Sequence, residues 1–300
     1  ALLALLGGTQ LPAAVECLTL TDSSEAPYTL RAAGVEVRAR RYAGPAAGPG
    51  GRPAVLLVHG AHARVMEEPR LRNLARALAR AGLDVVTPEL RALREFRLEA
   101  GSSAEIRALA ADWAARAHTR AVAVVGISFA GGLALLAAAE QAGSAPIGCV
   151  VAVGAHHDLT RVGAYYARRD VRGPQGEPSA APPHPYGARV LLRAHLAELL
   201  PAADLPGAQL VLDTYLQDRQ REAQRLAGRL SPAAQRVLRV LLDERGGPEL
   251  DSYVLDALAA TRTRLLAASP RGQLRALRVP VLLLHGSGDP VVPSIETRYL

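Results

Sequence analysis

The chain has no lysine, one asparagine and only two cysteines in 300 residues. All 35 basic residues are therefore arginines, set against 28 acidic ones for a formal charge of +7 and a pI near 10.0. Such a balance ordinarily points to nucleic acid or an anionic membrane surface. Here the arginines are scattered, as in Arg72, Arg76 and Arg80, and are not interleaved with aromatic residues. A compositional bias toward alanine and arginine accounts for the charge, and nucleic acid is not an expected partner. Cys17 and Cys149 are too few for a disulfide framework and read as small buried thiols.

Long apolar runs are also missing. The first residues, Ala1-Leu2-Leu3-Ala4-Leu5-Leu6, fall far short of the roughly 20 needed to span a bilayer. Residues 1–14 read as an apolar stub, either the remnant of a signal or anchor or a trimmed helix. A cytoplasmic location is favoured. Export or membrane anchoring, through a segment preceding Ala1, is the alternative. A chain of this length buries on the order of 75% of its unfolded surface, enough for one large domain.

What is present is an alternation of strands and helices. Val15–Leu20 and Val35–Tyr42 read as strands, the second alternating Val35, Val37 and Ala39 with Glu36, Arg38 and Arg40, as in an antiparallel edge hairpin. Apolar strands follow at 54–58, 83–88, 121–125 and 147–154. Between them, Pro69 opens a helix that Gly82 stops, and Ser102 with Glu105 forms a capping-box pattern ahead of Ile106, Leu109 and Trp113. Continuous apolar runs separated by helices imply a mostly parallel sheet covered on both faces. From 156 to 278 the alternation stops: a Gly/Pro loop at 173–185 precedes helical stretches at about 188–200, 207–229, 232–245 and 249–267, with Ser231 as N-cap and Pro232 first in its helix. The expected division is thus a core over 15–155, a mainly helical lid insertion over 156–278, and a continued core over 279–300.

The stretch Val122-Ala123-Val124-Val125-Gly126-Ile127-Ser128-Phe129-Ala130-Gly131-Gly132 breaks a buried-strand run at one serine and continues as an alanine-rich helix. A serine in so sharp a turn needs small residues two positions before and after it, as Gly126 and Ala130 supply. The pattern arises readily by chance in a chain rich in Ala and Gly; strand-turn-helix context gives it weight. Two more stretches stand with it: Ala54-Val55-Leu56-Leu57-Val58-His59-Gly60, and Val279-Pro280-Val281-Leu282-Leu283-Leu284-His285-Gly286-Ser287-Gly288-Asp289-Pro290-Val291-Val292-Pro293. In this order they resemble the α/β-hydrolase superfamily over about residues 30–155 and 270–293. The resemblance implies that Ser128 is the nucleophile, that Asp289 is the triad acid, and that the backbone N–H groups of Ala61 and Phe129 form the oxyanion hole. Ala130 departs mildly from the usual glycine.

Each residue also has a plainer reading. Ser128 could be an ordinary helix N-cap and Asp289 an Asx turn. His59 and His285 precede glycines at strand ends, where histidines more often shape loops than carry protons. In the family the base is a histidine after the acid, one helix and one strand on, which is roughly 25 residues past Asp289. Only 11 residues follow Asp289, so the base is expected beyond Leu300. The rival is an internal histidine: His62, His156 and His157 are candidates for the pocket wall, with His184 and His195 behind them. His156-His157-Asp158 suggests metal ligation by composition, but adjacent residues on a strand point to opposite faces; neither a metal nor a cofactor is expected.

The leading expectation is a serine hydrolase that cleaves a carboxylic ester, less readily an amide or peptide, of a small-molecule acyl substrate through an acyl-enzyme on Ser128. The alternative is a catalytically silent α/β-hydrolase-like domain that binds a ligand or protein in its crevice. Nothing in the motifs specifies the substrate or an oligomeric state.

Overall fold

The computed structural model describes residues 23–44, 52–141, 145–243 and 245–300. Its frame is a seven-stranded sheet in the order β1-β2-β4-β3-β5-β6-β7. These strands are β1 (Ser24–Ala32), β2 (Val35–Ala43), β3 (Ala54–Val58), β4 (Asp84–Pro88), β5 (Val122–Ile127), β6 (Ile147–Val153) and β7 (Val281–Leu284). The last five run parallel to one another; β2 pairs antiparallel with both β1 and β4. β3 and β4 are buried throughout, as continuous apolar runs in a doubly covered parallel sheet require.

The amino-terminal hairpin corrects the sequence reading. The partner of β2 is Ser24–Ala32, which the sequence pattern does not mark as a strand, and the expected strand at Val15–Leu20 lies outside the described residues. Pro27 and several charged residues hide β1 from a hydrophobic pattern, and an outermost strand tolerates both. A two-residue turn, Ala33-Gly34, closes the hairpin with φ of 48° and 83°, the positive-φ pair that matches strand twist.

Helix α1 (Pro69–Arg80) is capped by the Glu68 carboxylate and covers one face, packing Leu71, Leu74 and Ala75 against Val55, Leu57, Val85 and Val125. After the single turn α2 (Arg91–Arg94), helices α3 (Gly101–Arg116) and α4 (Phe129–Ala139) cover the other face. The expected capping box at Ser102 and Glu105 is absent. The helix begins two residues earlier, with Ala100 as its N-cap; Ser102 lies within its first turn, and the Ser103 hydroxyl binds Ala100 O and Glu140 instead.

Between β6 and β7 the chain is helical: α5 (Leu159–Arg168), α6 (Pro185–Arg193), α7 (Leu196–Leu199), α8 (Leu205–Tyr215), α9 (Gln220–Ala227), α10 (Pro232–Leu242) and α11 (Pro248–Ala267). Ser231 caps α10 as expected, its hydroxyl accepting from Ala234 N. Two expected long helices are each broken, at Ala194-His195 and around Asp218, whose φ is 63°. Helix α5 is not anticipated by the sequence pattern. Asp158 caps it by accepting from Thr160 N and Arg161 N, and Leu159, Val162 and Tyr166 form its buried face. A last short helix, α12 (Ile295–Tyr299), follows β7. Among the described residues no helix is long and apolar enough to cross a membrane.

Candidate active site

Strand order reverses around β3, which leads to β4 on one side and faces β5 on the other. A parallel sheet opens a crevice beyond its strand ends at such a point. Gly60 and Ser128 sit there.

Ser128 has φ 56° and ψ −127°, a left-handed conformation that costs a non-glycine residue on the order of 1–3 kcal/mol. The fold enforces it: Ser128 N donates to Val153 O at 2.7 Å, and Gly131 N closes the first turn of α4 onto Ser128 O at 2.9 Å. Gly126 is required by contact, since a Cβ there would lie 2.4 Å from Ala130 O. Gly131 likewise lets α4 approach β6, because its Cβ would stand 2.8 Å from that of Ala155. Although Ser128 occupies the N-cap position of α4, its side chain makes no capping bond. The plain N-cap reading therefore fails for the hydroxyl.

Gly60 lies against this serine; a Cβ on it would be 3.2 Å from Ser128 Cβ and 3.8 Å from Oγ. The next N–H, that of Ala61, and that of Phe129 at the start of α4 have no acceptor among the described residues. The loop is held from two directions. Leu90 N donates to His59 Nε2 at 3.1 Å, which leaves the proton on Nδ1, and this donates to Gly60 O at 2.7 Å. Burial drives the His59 pKa down to about 4, so the ring stays neutral and fixes the peptide that carries the Ala61 N–H. From the insertion, the Tyr186 hydroxyl donates to Ala61 O at 3.1 Å. Burial raises that phenol to about 12, so it remains a donor at any ordinary pH.

Asp289 approaches across Gly154. From the point where a Gly154 Cβ would sit, Asp289 Oδ2 is 3.3 Å away and Ser128 Cα 3.9 Å away. Asp289 Oδ1 accepts from Val291 N and Val292 N at 2.8 and 3.0 Å, the expected Asx turn, which leaves Oδ2 as the oxygen that faces Gly154. Turn-former and carboxylate beside the serine are thus the same residue. The acid loop is tied to the insertion as well: Tyr166 OH donates to Val291 O and His184 N to Pro290 O, both at 2.8 Å. Tyr166 and Tyr186 escaped the sequence reading because a tyrosine on an apolar helix face carries no motif.

Of the histidines, His285 comes within 3.5 Å of Asp289 Oδ2 through Nε2. That nitrogen already donates to Val292 O at 2.8 Å, and Nδ1 meets the Thr297 hydroxyl. His62 sits half-buried in the loop after Gly60, where burial lowers its pKa and Nδ1 accepts from Arg64 N. The expectation that His156 and His157 line the pocket is not met. His156 is fully buried behind α4, against Phe129 and over Gly132, with Nε2 donating to Ala268 O at 3.0 Å. His157 stacks on Tyr299 and faces Arg161. Burial lowers both to about 4. Asp158 turns away to cap α5 and pair with Arg271, so the three adjacent residues share no ligand. Among the described residues no three His, Cys, Asp or Glu side chains converge as metal ligands.

No protein-family model and no curated protein matches the sequence. Solved structures do match. The uncomplexed acylaminoacyl peptidase of Pyrococcus horikoshii superposes with a TM-score of 0.52 at 10% identity, over 96% of this chain and 36% of that one. An acylaminoacyl peptidase in complex with Z-Gly-Gly-Phe-chloromethyl ketone gives 0.50 at 10% identity, with the same coverage. The 2-hydroxy-6-oxo-6-phenylhexa-2,4-dienoate hydrolase of Rhodococcus sp. strain RHA1 gives 0.47 at 17% identity, over 92% of this chain and 86% of that one. This chain spans about a third of the length of the two peptidases. The protein has the α/β-hydrolase fold. Its nearest shared feature with these hydrolases is architecture: at such identities the likeness is of fold.

Proposed function

We propose that the protein is a serine hydrolase acting on a carboxylic ester through an acyl-enzyme on Ser128. The observation that carries this reading is an uncapped serine hydroxyl on a strained turn, with Gly60 packed against it and the Asp289 carboxylate approaching the same backbone across Gly154. Ser128 Oγ attacks the ester carbonyl carbon as its proton passes to a histidine base. The oxyanion accepts from Ala61 N–H and Phe129 N–H, an interaction worth roughly 3 kcal/mol per donor in the transition state. Collapse expels the alcohol, which takes the proton, and water then releases the acid. Asp289 Oδ2 is the proposed partner of that base. His285 lies near that oxygen, but both its ring nitrogens are already bonded, to Thr297 and Val292. The helical insertion is the proposed lid, since Tyr166, His184 and Tyr186 rest on the loops that carry the reacting groups.

Hydrolysis of p-nitrophenyl acyl esters by the whole protein tests this. Ser128→Ala is expected to lower kcat by about 10³-fold or more, with unchanged circular dichroism. Undiminished turnover overturns the assignment, and retained ligand binding without any turnover in the parent protein favours a silent binding domain.

A further inference from the structure

The β6–β7 ladder stops just short of the reacting groups. Its last rung pairs Val153 with Leu284, and Gly154 N donates to Leu284 O at 2.8 Å. Beyond that point the two strands lead into separate loops. Residues 154–158 begin at the glycine across which Asp289 approaches Ser128, and residues 285–294 carry Asp289 itself. Among the described residues no backbone hydrogen bond joins one loop to the other past Gly154. The spacing of nucleophile and acid, on which the rate of such a reaction depends steeply, therefore falls to side chains.

Tyr166 reaches the acid loop from α5, but the tie to residues 154–158 themselves is Glu296, on α12. This residue is fully buried. Its Oε2 accepts from His157 N and Asp158 N, both at 2.8 Å, and its Oε1 accepts from Arg161 Nε. A carboxylate so placed is tolerated because a charged donor and two backbone donors replace water. Arg161 is anchored in turn, donating to His157 Nδ1 at 3.1 Å and lying 3.7 Å over the Tyr299 ring, on which His157 stacks. The next residue of α12 engages the other loop: the Thr297 hydroxyl meets His285 Nδ1, and the same ring donates to Val292 O. Helix α12 thus grips the acid loop through Thr297 and the loop beside the serine through Glu296.

On the reading that Ser128 attacks and Asp289 is the acid, we propose that Glu296 is a positioning residue: its carboxylate holds the acid loop in register with the loop beside the serine. Glu296→Gln tests this, because the amide keeps the shape but turns an NH2 group toward either Arg161 or the two backbone donors. The variant is expected to hydrolyse p-nitrophenyl esters with kcat lowered about tenfold and KM within about twofold of the parent's. Amide hydrogens at 155–158 and at 286–292 are both expected to exchange faster. Glu25→Gln is the matched control, since it removes a carboxylate shared by Arg40, Arg72 and Arg76 at the sheet margin opposite β7. It is expected to lower the urea midpoint and leave kcat unchanged. Should Glu296→Gln fail to fold, Arg161→Gln, which leaves the carboxylate its two backbone donors, is expected to lower kcat about threefold. A parent-like kcat in whichever variant folds, or unchanged exchange at both loops, overturns the proposal. Parent-like kcat with Ser128 labelled by a fluorophosphonate sinks the role of Glu296 and spares the Ser128 reading; an unlabelled Ser128 with accelerated exchange does the reverse.

Discussion

Gly126 shows most directly how one atom decides this site. A methyl there would stand 2.4 Å from Ala130 O, inside the turn that presents Ser128. Backbone cannot yield as a flexible side chain does, so Gly126→Ala is expected to cost roughly 2–3 kcal/mol, read as a lowered urea midpoint. A midpoint equal to the parent's would mean that the turn is slack. The requirement for a small residue at this position was legible in the sequence, as was the Asx turn at Asp289. His59 and His285, expected to shape loops, are each bonded at both nitrogens, whereas His156 and His157 were expected at the pocket wall. His156 illustrates the gap, because only the packed structure reveals Gly132 beneath its ring.

Elements differ in the same way. The central strands were readable because strands covered on both faces must be apolar at every position, whereas β1, at the sheet margin, carries Pro27 and a charged face. Helix α5 was lost beside His156 and His157, although Asp158 is an ordinary cap. The functional weight of α5 and α6 comes from two hydroxyls that touch opposite loops of the crevice. Tyr186→Phe removes the bond to Ala61 O while keeping the ring. It is expected to reduce kcat/KM about fivefold and to speed amide hydrogen exchange at residues 60–62. Parent-like exchange there would show that His59 alone positions the loop.

Across the whole molecule, buried histidines couple stability to pH. His59 and His156 are held to about 4 by burial, against about 6.5 in the unfolded chain. The unfolded chain therefore takes up protons first. Stability from these two groups is fully present above pH 6.5 and is lost as pH falls toward 4, by up to roughly 1.4 kcal/mol per pH unit for each. Glu296, raised by burial beside Arg161, has the opposite sign, adding stability below its unfolded value of 4.5 that fades as pH rises. His157 and His62, also lowered by burial, act in the same sense as these two, and Glu105, raised by burial, joins Glu296, so acidification brings a net loss. The urea midpoint should decline from pH 6.5 to pH 4, and His156→Gln should make the decline shallower; a flat profile would contradict the buried neutral rings.

The reactive oxygen belongs to a single side chain, proposed to be that of Ser128. Treating the protein with a fluorophosphonate and mapping the adduct by peptide mass spectrometry addresses that directly. Modification confined to Ser128, and lost in Ser128→Ala, is the expected result. An adduct on any other residue, or one that persists in the variant, would contradict it.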